Sequence, residues 1–185
     1  MRKPLLLAVP LFLLLLFSAC TYLPVETAEE PFSFKELAHI FALTESEIFD
    51  AYGEPDAENP ASFLGLNANE FLYGKNVFRA EAASGYVYYA CLYDDALDAP
   101  RGVATGMTIG EAVARFASGG DDTMYTSPDG EHYRLLYGDY ATGGDYGVIF
   151  YDGRTPTRLE YSSEGCVFAC GIRNGKVEYC EYFVE

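Results

Sequence analysis

Val167-Phe168-Ala169-Cys170-Gly171-Ile172-Arg173-Asn174-Gly175-Lys176-Val177-Glu178-Tyr179-Cys180-Glu181-Tyr182-Phe183 carries the clearest structural signal in the chain. Two runs rich in β-branched and aromatic residues, Val167 to Arg173 and Lys176 to Phe183, flank Asn174-Gly175. That dipeptide suits a two-residue type I′ hairpin, in which both central residues take positive φ. The stretch therefore predicts two antiparallel strands. A lone hairpin is marginal in water, so more strands must lie beside it.

Candidates follow outward along the chain. Tyr133 to Tyr137, Tyr146 to Tyr151 and Thr157 to Tyr161 have strand composition, as do Glu70 to Tyr73, Val77 to Glu81 and Tyr86 to Tyr93 further upstream. Sixteen Tyr and thirteen Phe with no Trp fit strands that have one greasy and one wet face. Helical signals are fewer and local. Ser33-Phe34-Lys35-Glu36 and Thr44-Glu45-Ser46-Glu47 each place a hydroxyl three residues before a carboxylate, the pattern of a capping box. Leu37, Ile40 and Phe41 follow the first at helical spacing, and Gly53-Glu54-Pro55 closes the second. A third helix is expected from Ile109 to about Ala117, ending at Ser118-Gly119-Gly120. Asp56 to Asn69, polar and interrupted by Pro60, reads as a loop. The expected fold class is α+β, with short helices packed on one face of antiparallel sheet.

An internal repeat extends that expectation. Met107-Thr108-Ile109-Gly110-Glu111 matches Leu43-Thr44-Glu45-Ser46-Glu47, and Leu136-Tyr137-Gly138 matches Leu72-Tyr73-Gly74, both at an offset of 64 residues. A tandem duplication of a helix-plus-sheet unit is expected, with a first α+β unit over 32–99 and a second over 100–185. Gly106-Met107-Thr108-Ile109-Gly110-Glu111-Ala112-Val113-Ala114-Arg115-Phe116 resembles the opening of the β-lactamase-inhibitor-protein-like fold: Gly-Met-Thr, two residues, Glu with a small apolar residue, then Phe. That family includes the inhibitor and small outer-membrane assembly lipoproteins, and the chain is also similar to uncharacterised lipoproteins of Gram-positive bacteria. The resemblance implies a helix pair on an antiparallel sheet and, as a class of function, binding of another protein.

The N-terminus speaks to location. Arg2 and Lys3 precede the apolar run Leu5 to Phe17, which ends in Phe17-Ser18-Ala19-Cys20, the three parts of an export signal over residues 1–20. About thirteen apolar residues span roughly 20 Å of helix, short of a hydrocarbon core of about 30 Å. The ending resembles a bacterial lipobox, with Phe17 where that family usually carries Leu; the resemblance implies lipidation of Cys20 and a lipid-anchored protein facing outside the cytoplasm. Thr21 to Pro31 is a Pro- and Glu-containing tether with little to bury.

Composition then excludes partners. The formal charge is −16, and loss of Arg2 and Lys3 with the signal makes it more negative still. Phosphate backbones and anionic headgroups repel such a body, so no nucleic acid partner is expected, and membrane contact is left to the lipid.

No catalytic constellation emerges. HExxH, a nucleophile elbow and a glycine-rich phosphate loop are all missing from the sequence, so no enzyme and no cofactor are expected. His39 reads as a helix-face residue and His132 as a solvent-exposed turn residue. Asp94, Asp95, Asp98, Asp121, Asp122 and the turn Asp139 to Asp145 read as solvated loop carboxylates, and no metal site is expected. Cys91, Cys166, Cys170 and Cys180 leave buried thiols and one structural disulfide both open. On a regular ladder Cys170 faces Tyr179 and Cys180 faces Ala169, which parts that pair unless a bulge intervenes.

The positive clue is tyrosine. Along Tyr86 to Tyr93, Tyr86, Tyr88, Ala90 and Leu92 alternate with Val87, Tyr89, Cys91 and Tyr93. Whichever set packs inward, tyrosines remain on the open side, so Tyr86, Tyr88, Tyr89 and Tyr93 are the candidate partner-binding residues. The functional expectation is a non-enzymatic, membrane-anchored lipoprotein that binds an envelope or extracellular protein. An exported hydrolase or carbohydrate-binding lipoprotein is the alternative, disfavoured by the missing catalytic residues and the absence of Trp.

Overall fold

The hairpin signal is realised. In the computed structural model, which describes residues 30–120 and 122–185, Asn174 and Gly175 take φ of 52° and 73°, and the strands on either side pair antiparallel. Leu64-Gly65 (48° and 81°) and Glu164-Gly165 (54° and 73°) adopt the same positive-φ pairs without an Asn or Asp to announce them.

In chain order the described residues form α1 (Ala38–Phe41), α2 (Glu45–Tyr52), β1 (Ala57–Phe63), β2 (Leu66–Tyr73), β3 (Asn76–Glu81), β4 (Val87–Leu92), α3 (Ile109–Val113), β5 (Met124–Thr126), β6 (His132–Gly138), β7 (Tyr146–Asp152), β8 (Thr155–Ser163), β9 (Cys166–Arg173) and β10 (Lys176–Val184). All ten strands join one antiparallel sheet in the order β1-β2-β3-β4-β10-β9-β8-β7-β6-β5. Two meanders thus meet where β4 pairs with β10.

This corrects the α+β expectation of helices layered on the sheet. The α-helices have four, eight and five residues, and the frame of the molecule is the sheet. The expected first helix is split into a 3-10 turn, Phe34–Glu36, and a single α-turn. The region read as a polar loop, Asp56 to Asn69, supplies β1 and the first half of β2. One ladder runs through the ranges 32–99 and 100–185 alike.

The helical segments do keep their predicted starts. Ser33, Thr44 and Thr108 each cap their segment, and Glu36, Glu47 and Glu111 return the bond, completing three capping boxes. Thr44 and Thr108 also bridge to the sheet, at Tyr86 and Lys176, just where β4 and β10 begin.

Phe32, Leu37, Ile40, Ile48, Ala112 and Phe116 bury themselves against one sheet face made by Phe71, Phe78, Leu92, Leu159, Tyr161, Phe168 and Tyr182. Phe116 stacks on Tyr161 at 4.0 Å between ring centroids. Arg101 clasps this side shut, its Nε and Nη2 each donating at 2.8 Å to Glu36 while its Nη atoms reach the carbonyls of Glu30 and Pro31. Both sheet edges are blunted against further strand addition: β1 carries Pro60 and β5 has only three residues.

No helix among the described residues is long and apolar enough to cross a membrane. The expected signal, Cys20 as the expected lipidation site and residues 21–29 of the expected tether lie outside the described residues.

Candidate functional site

Among the described residues no α-helix lies over the second sheet face. Register places Glu70, Arg79, Tyr89, Phe183, Val167, Ser162 and Tyr146 in one row across it, and Cys91, Glu181, Ala169, Glu160 and Val148 in the next. The first row therefore sets Glu70, Arg79, Tyr89 and Phe183 side by side, while in the second Glu181 and Glu160 flank Ala169.

Three of the four candidate tyrosines are on it. A register shift opposite Ala80 leaves Tyr88 as the extra residue of β4, so strict alternation fails: Val87, Ala90 and Leu92 face the core, while Tyr89 and Cys91 face the other way. Tyr88 stacks on Phe63 at 4.2 Å. Tyr89 donates to Glu181 at 2.8 Å under the Arg79 guanidinium, 4.6 Å from its ring centre, and burial with the Glu181 charge pushes its hydroxyl pKa up. Tyr93 packs on Tyr179 at 5.1 Å, with the Lys75 ammonium 5.2 Å from its ring. These three are half-buried by these neighbours. Tyr86, at 52 % exposure, is the one large open ring of the set, and it sits ahead of β4 beside Thr44 rather than on the face.

A second aromatic group, missed from the sequence, occupies the other end. Tyr133, Tyr146, Val148 and Phe150 form a small separate core, and the turn Tyr140–Thr142 lays Tyr140 against it. Ring centroids of Tyr133 and Tyr140 lie 4.9 Å apart, as do those of Tyr140 and Tyr146, at interplanar angles of 64° and 82°. The rings thus turn a corner rather than stack. They wall a cavity of about 580 Å³, with Ser127, Asp129 and Glu185 completing it.

Carboxylates surround those rings. The Tyr146 hydroxyl lies 2.7 Å from Glu160 Oε1 and 2.9 Å from Glu185 Oε1, one proton between two acceptors. Glu160 is only 3 % exposed, with Arg158 Nε at 2.9 Å from its other oxygen, and burial raises its carboxyl pKa against the opposing pull of Arg158. Arg158 in turn lies over Phe150 at 4.3 Å and reaches Glu131 at 3.9 Å. Ser127 donates to Asp129, and that bond holds the Asp129 carboxyl below its usual range.

Two close carboxylates invite comparison with a glycosidase pair, which must flank a substrate bond. Here the Tyr146 hydroxyl fills the space between them, and Glu160 is not on the cavity wall. The arrangement is a proton-sharing triad in which Glu160 is buried and Glu185 stands exposed on the wall of the aromatic cavity.

A second cavity, about 370 Å³, opens beside α3 between Ile109, Val113, Leu136, Ile149 and Tyr151. Its lining is mainly aliphatic, with Arg134 at its edge, and nothing in it is poised for chemistry.

Other candidates are structural. His39 Nε2 contacts the Asp98 carbonyl at 2.8 Å, and His132 Nδ1 contacts Thr126 Oγ1 at 3.0 Å. Asp94 accepts from Asn76, Asp95 from Thr105, Asp139 from the Ala141 amide, Asp145 from the Glu164 amide, and Asp122 pairs with Arg134. No three acidic, His or Cys side chains converge to hold a metal among the described residues.

The four cysteines are buried free thiols. A bulge at Glu178 shifts the β10 register by one and brings Cys180 opposite Cys170, correcting the expected Cys170–Tyr179 pairing. The Cys170 thiol's hydrogen bond to the Cys180 sulfur and its burial both raise the Cys170 pKa, and burial pushes Cys91 up to about 11. No protein-family model matches the chain, and no curated protein or solved structure matches it either.

Proposed function

We propose that this protein is an exported lipoprotein, anchored to the membrane through Cys20 with its body outside the cytoplasm, and that it acts by binding a protein of its envelope or surroundings rather than by catalysis. The observation that carries the binding half is the second sheet face: tyrosines at both of its ends, a cavity lined by three of them, and carboxylates around it, with no α-helix among the described residues covering it. Amphipathic rings that are already packed lose little entropy on docking. The Tyr146 hydroxyl, hydrogen-bonded to both Glu160 and Glu185, supports binding over hydrolysis, because it occupies the place a substrate bond would take between the two carboxylates.

The anchoring half rests on the sequence of residues 1–20 alone. Growth with an alkyne-labelled fatty acid should mark the wild-type protein and leave Cys20→Ser unmarked and released from the membrane. An unmarked wild type, or an unchanged location for the variant, would remove the anchor. For the binding half, a photo-crosslinking residue at Tyr140 should give a discrete adduct in intact cells that the same residue at Ser118 does not. Identical products from both sites, or none, would count against it.

A further inference from the structure

We propose that Cys170 and Cys180 are a disulfide-forming pair, joined across β9 and β10 by exchange with a disulfide-bearing oxidant while this hairpin is still open. Such oxidants persist outside the cytoplasm, so the bond's occurrence in the cell rests on the export proposed above.

The ladder register brings the two side chains together. The Glu185 amide donates to the Gly165 carbonyl at 2.9 Å, a bond that brackets Val184 and Cys166 and makes them a non-hydrogen-bonded pair. Hydrogen-bonded and non-hydrogen-bonded pairs alternate along an antiparallel ladder, and the β9–β10 register runs unshifted from Val184–Cys166 to Cys180–Cys170. Cys170 and Cys180 lie an even number of steps on, so they too form a non-hydrogen-bonded pair. That class of pair sets its Cα atoms about 4.5 Å apart and its side chains close together, within the roughly 4.4–6.8 Å span of disulfides. The bulge at Glu178 is the enabling feature. With Glu178 in line, Cys180 would oppose Ala169 and its sulfur would lie on the other face from that of Cys170.

Neither of the other two thiols competes. Cys166 stands on β9 four residues from Cys170, about 13 Å away on an extended strand and beyond the reach of a disulfide. Cys91 pairs with Glu181 and faces away from the main core, to which Cys170 and Cys180 both belong.

Burial sets when the bond forms. Cys170 is 0 % and Cys180 4 % exposed, so an oxidant does not reach these sulfurs in the finished fold. The attacking species is the thiolate, and burial works against it at Cys170. Exchange therefore precedes closure of the core. One cysteine, its proton released to water, attacks a sulfur of the oxidant and forms a mixed disulfide, and the oxidant's other sulfur leaves as a thiolate. The second cysteine, deprotonated in turn, attacks the protein-side sulfur of that mixed disulfide. The Cys170–Cys180 bond forms and the oxidant's remaining sulfur leaves; two electrons have passed to the oxidant, whose two thiolates take up the two protons. The same burial then shields the bond from reductants. Because β10 pairs with β9 on one side and β4 on the other, the bond ties down the strand on which the two meanders meet.

The test is disulfide mapping of the full-length protein in a nonionic detergent. Protein reduced in urea is refolded with oxidised and reduced glutathione, alkylated and digested without reductant. One peptide pair should appear, joined through Cys170 and Cys180, with Cys91 and Cys166 alkylated in the denatured product. Protein refolded first without oxidant should acquire the bond at least about tenfold more slowly, because the native hairpin must open. The oxidised form should have a higher urea midpoint than the reduced form, and Cys170→Ala should remove that dependence on redox state. The wild-type map stands whether or not the variant folds. Absence of the linkage, a bond to Cys91 or Cys166 instead, or oxidation of the folded protein as fast as during refolding would overturn the proposal. In intact cells quenched with acid and then alkylated, the pair should already be joined. A pair found reduced there, yet joined on refolding, would instead sink the export reading and leave the pairing of these two cysteines standing.

Discussion

Gly171 shows how one residue sets the pairing around it. A Cβ there would sit 2.1 Å from Tyr179 Cε1, so the tyrosine ring lies directly over the backbone of β9. That ring shields the bare glycine, and the bulge at Glu178 places Tyr179 opposite it and Cys180 opposite Cys170. Gly171→Ala must drive the ring off, which should cost about 1–3 kcal/mol, read as a lowered urea midpoint with an unchanged slope. A variant as stable as wild type would mean that the ring yields freely. Glu160 makes the second prediction at this scale. Burial raises its carboxyl pKa above the ordinary value of 4.5, so the native state holds that proton more tightly than the unfolded chain. The resulting stability is complete below about pH 4.5 and is lost as pH rises through the native pKa, about 1.4 kcal/mol for each unit of difference. Glu160→Gln has no such proton. Urea midpoints measured from acid to neutral pH should therefore move in the variant's favour as pH rises, whatever constant offset the loss of the Arg158 ion pair adds. A difference that does not vary with pH would show that Arg158 fully compensates the burial.

Among the elements, those with a local chemical signature were legible in the sequence and those defined by distant partners were not. Thr44 and Thr108 cap their helices as their spacing to Glu47 and Glu111 requires, and Asn174-Gly175 turns where it should. By contrast β1 is an edge strand with all seven of its residues exposed or half-buried around Pro60, and a strand that fully buries none of its side chains has little alternation to display. Its turn, Leu64-Gly65, hides for a related reason: Leu64 stands at φ 48°, where Asn or Asp would mark a type I′ hairpin. The candidate site was legible only in part. Tyrosine abundance was plain, but Tyr140 sits in a turn that reads as loop carboxylates, and its contacts with Tyr133 and Tyr146 need the β6–β7 register. The Leu64 position offers a direct check. It is 80 % exposed and strained, so Leu64→Asn should raise stability by about 0.5–1 kcal/mol, seen as a melting temperature a few degrees higher. No gain would imply that the leucine makes compensating contacts in the native state.

For the molecule as a whole, what matters is that the two meanders share one ladder. β4 and β10 pair through Leu92–Cys180 to Tyr89–Phe183 at the centre of the sheet, so neither half can open without exposing an apolar strand edge of the other. Arg101 reinforces this from the core side. It lies between β4 and α3, adopts φ 54°, covers the Phe116 ring at 5.0 Å, and holds Glu36 bidentately together with the carbonyls of Glu30 and Pro31. One guanidinium thereby ties the start of the described chain, the segment between the meanders and the aromatic core into a single body. Lysine cannot replace it, because an ammonium is a point donor and the site asks for a planar fork that also stacks on a ring. Arg101→Lys should cost about 1–2 kcal/mol, discounted for the partial exposure of the Glu36 pair, yet unfolding should stay a single transition, since the β4–β10 ladder is untouched. Tyrosine fluorescence, unmasked because the chain has no Trp, and far-ultraviolet circular dichroism should give coincident melting curves in wild type and variant alike. Two resolved transitions in the variant would instead assign the coupling of the halves to Arg101 and not to the sheet.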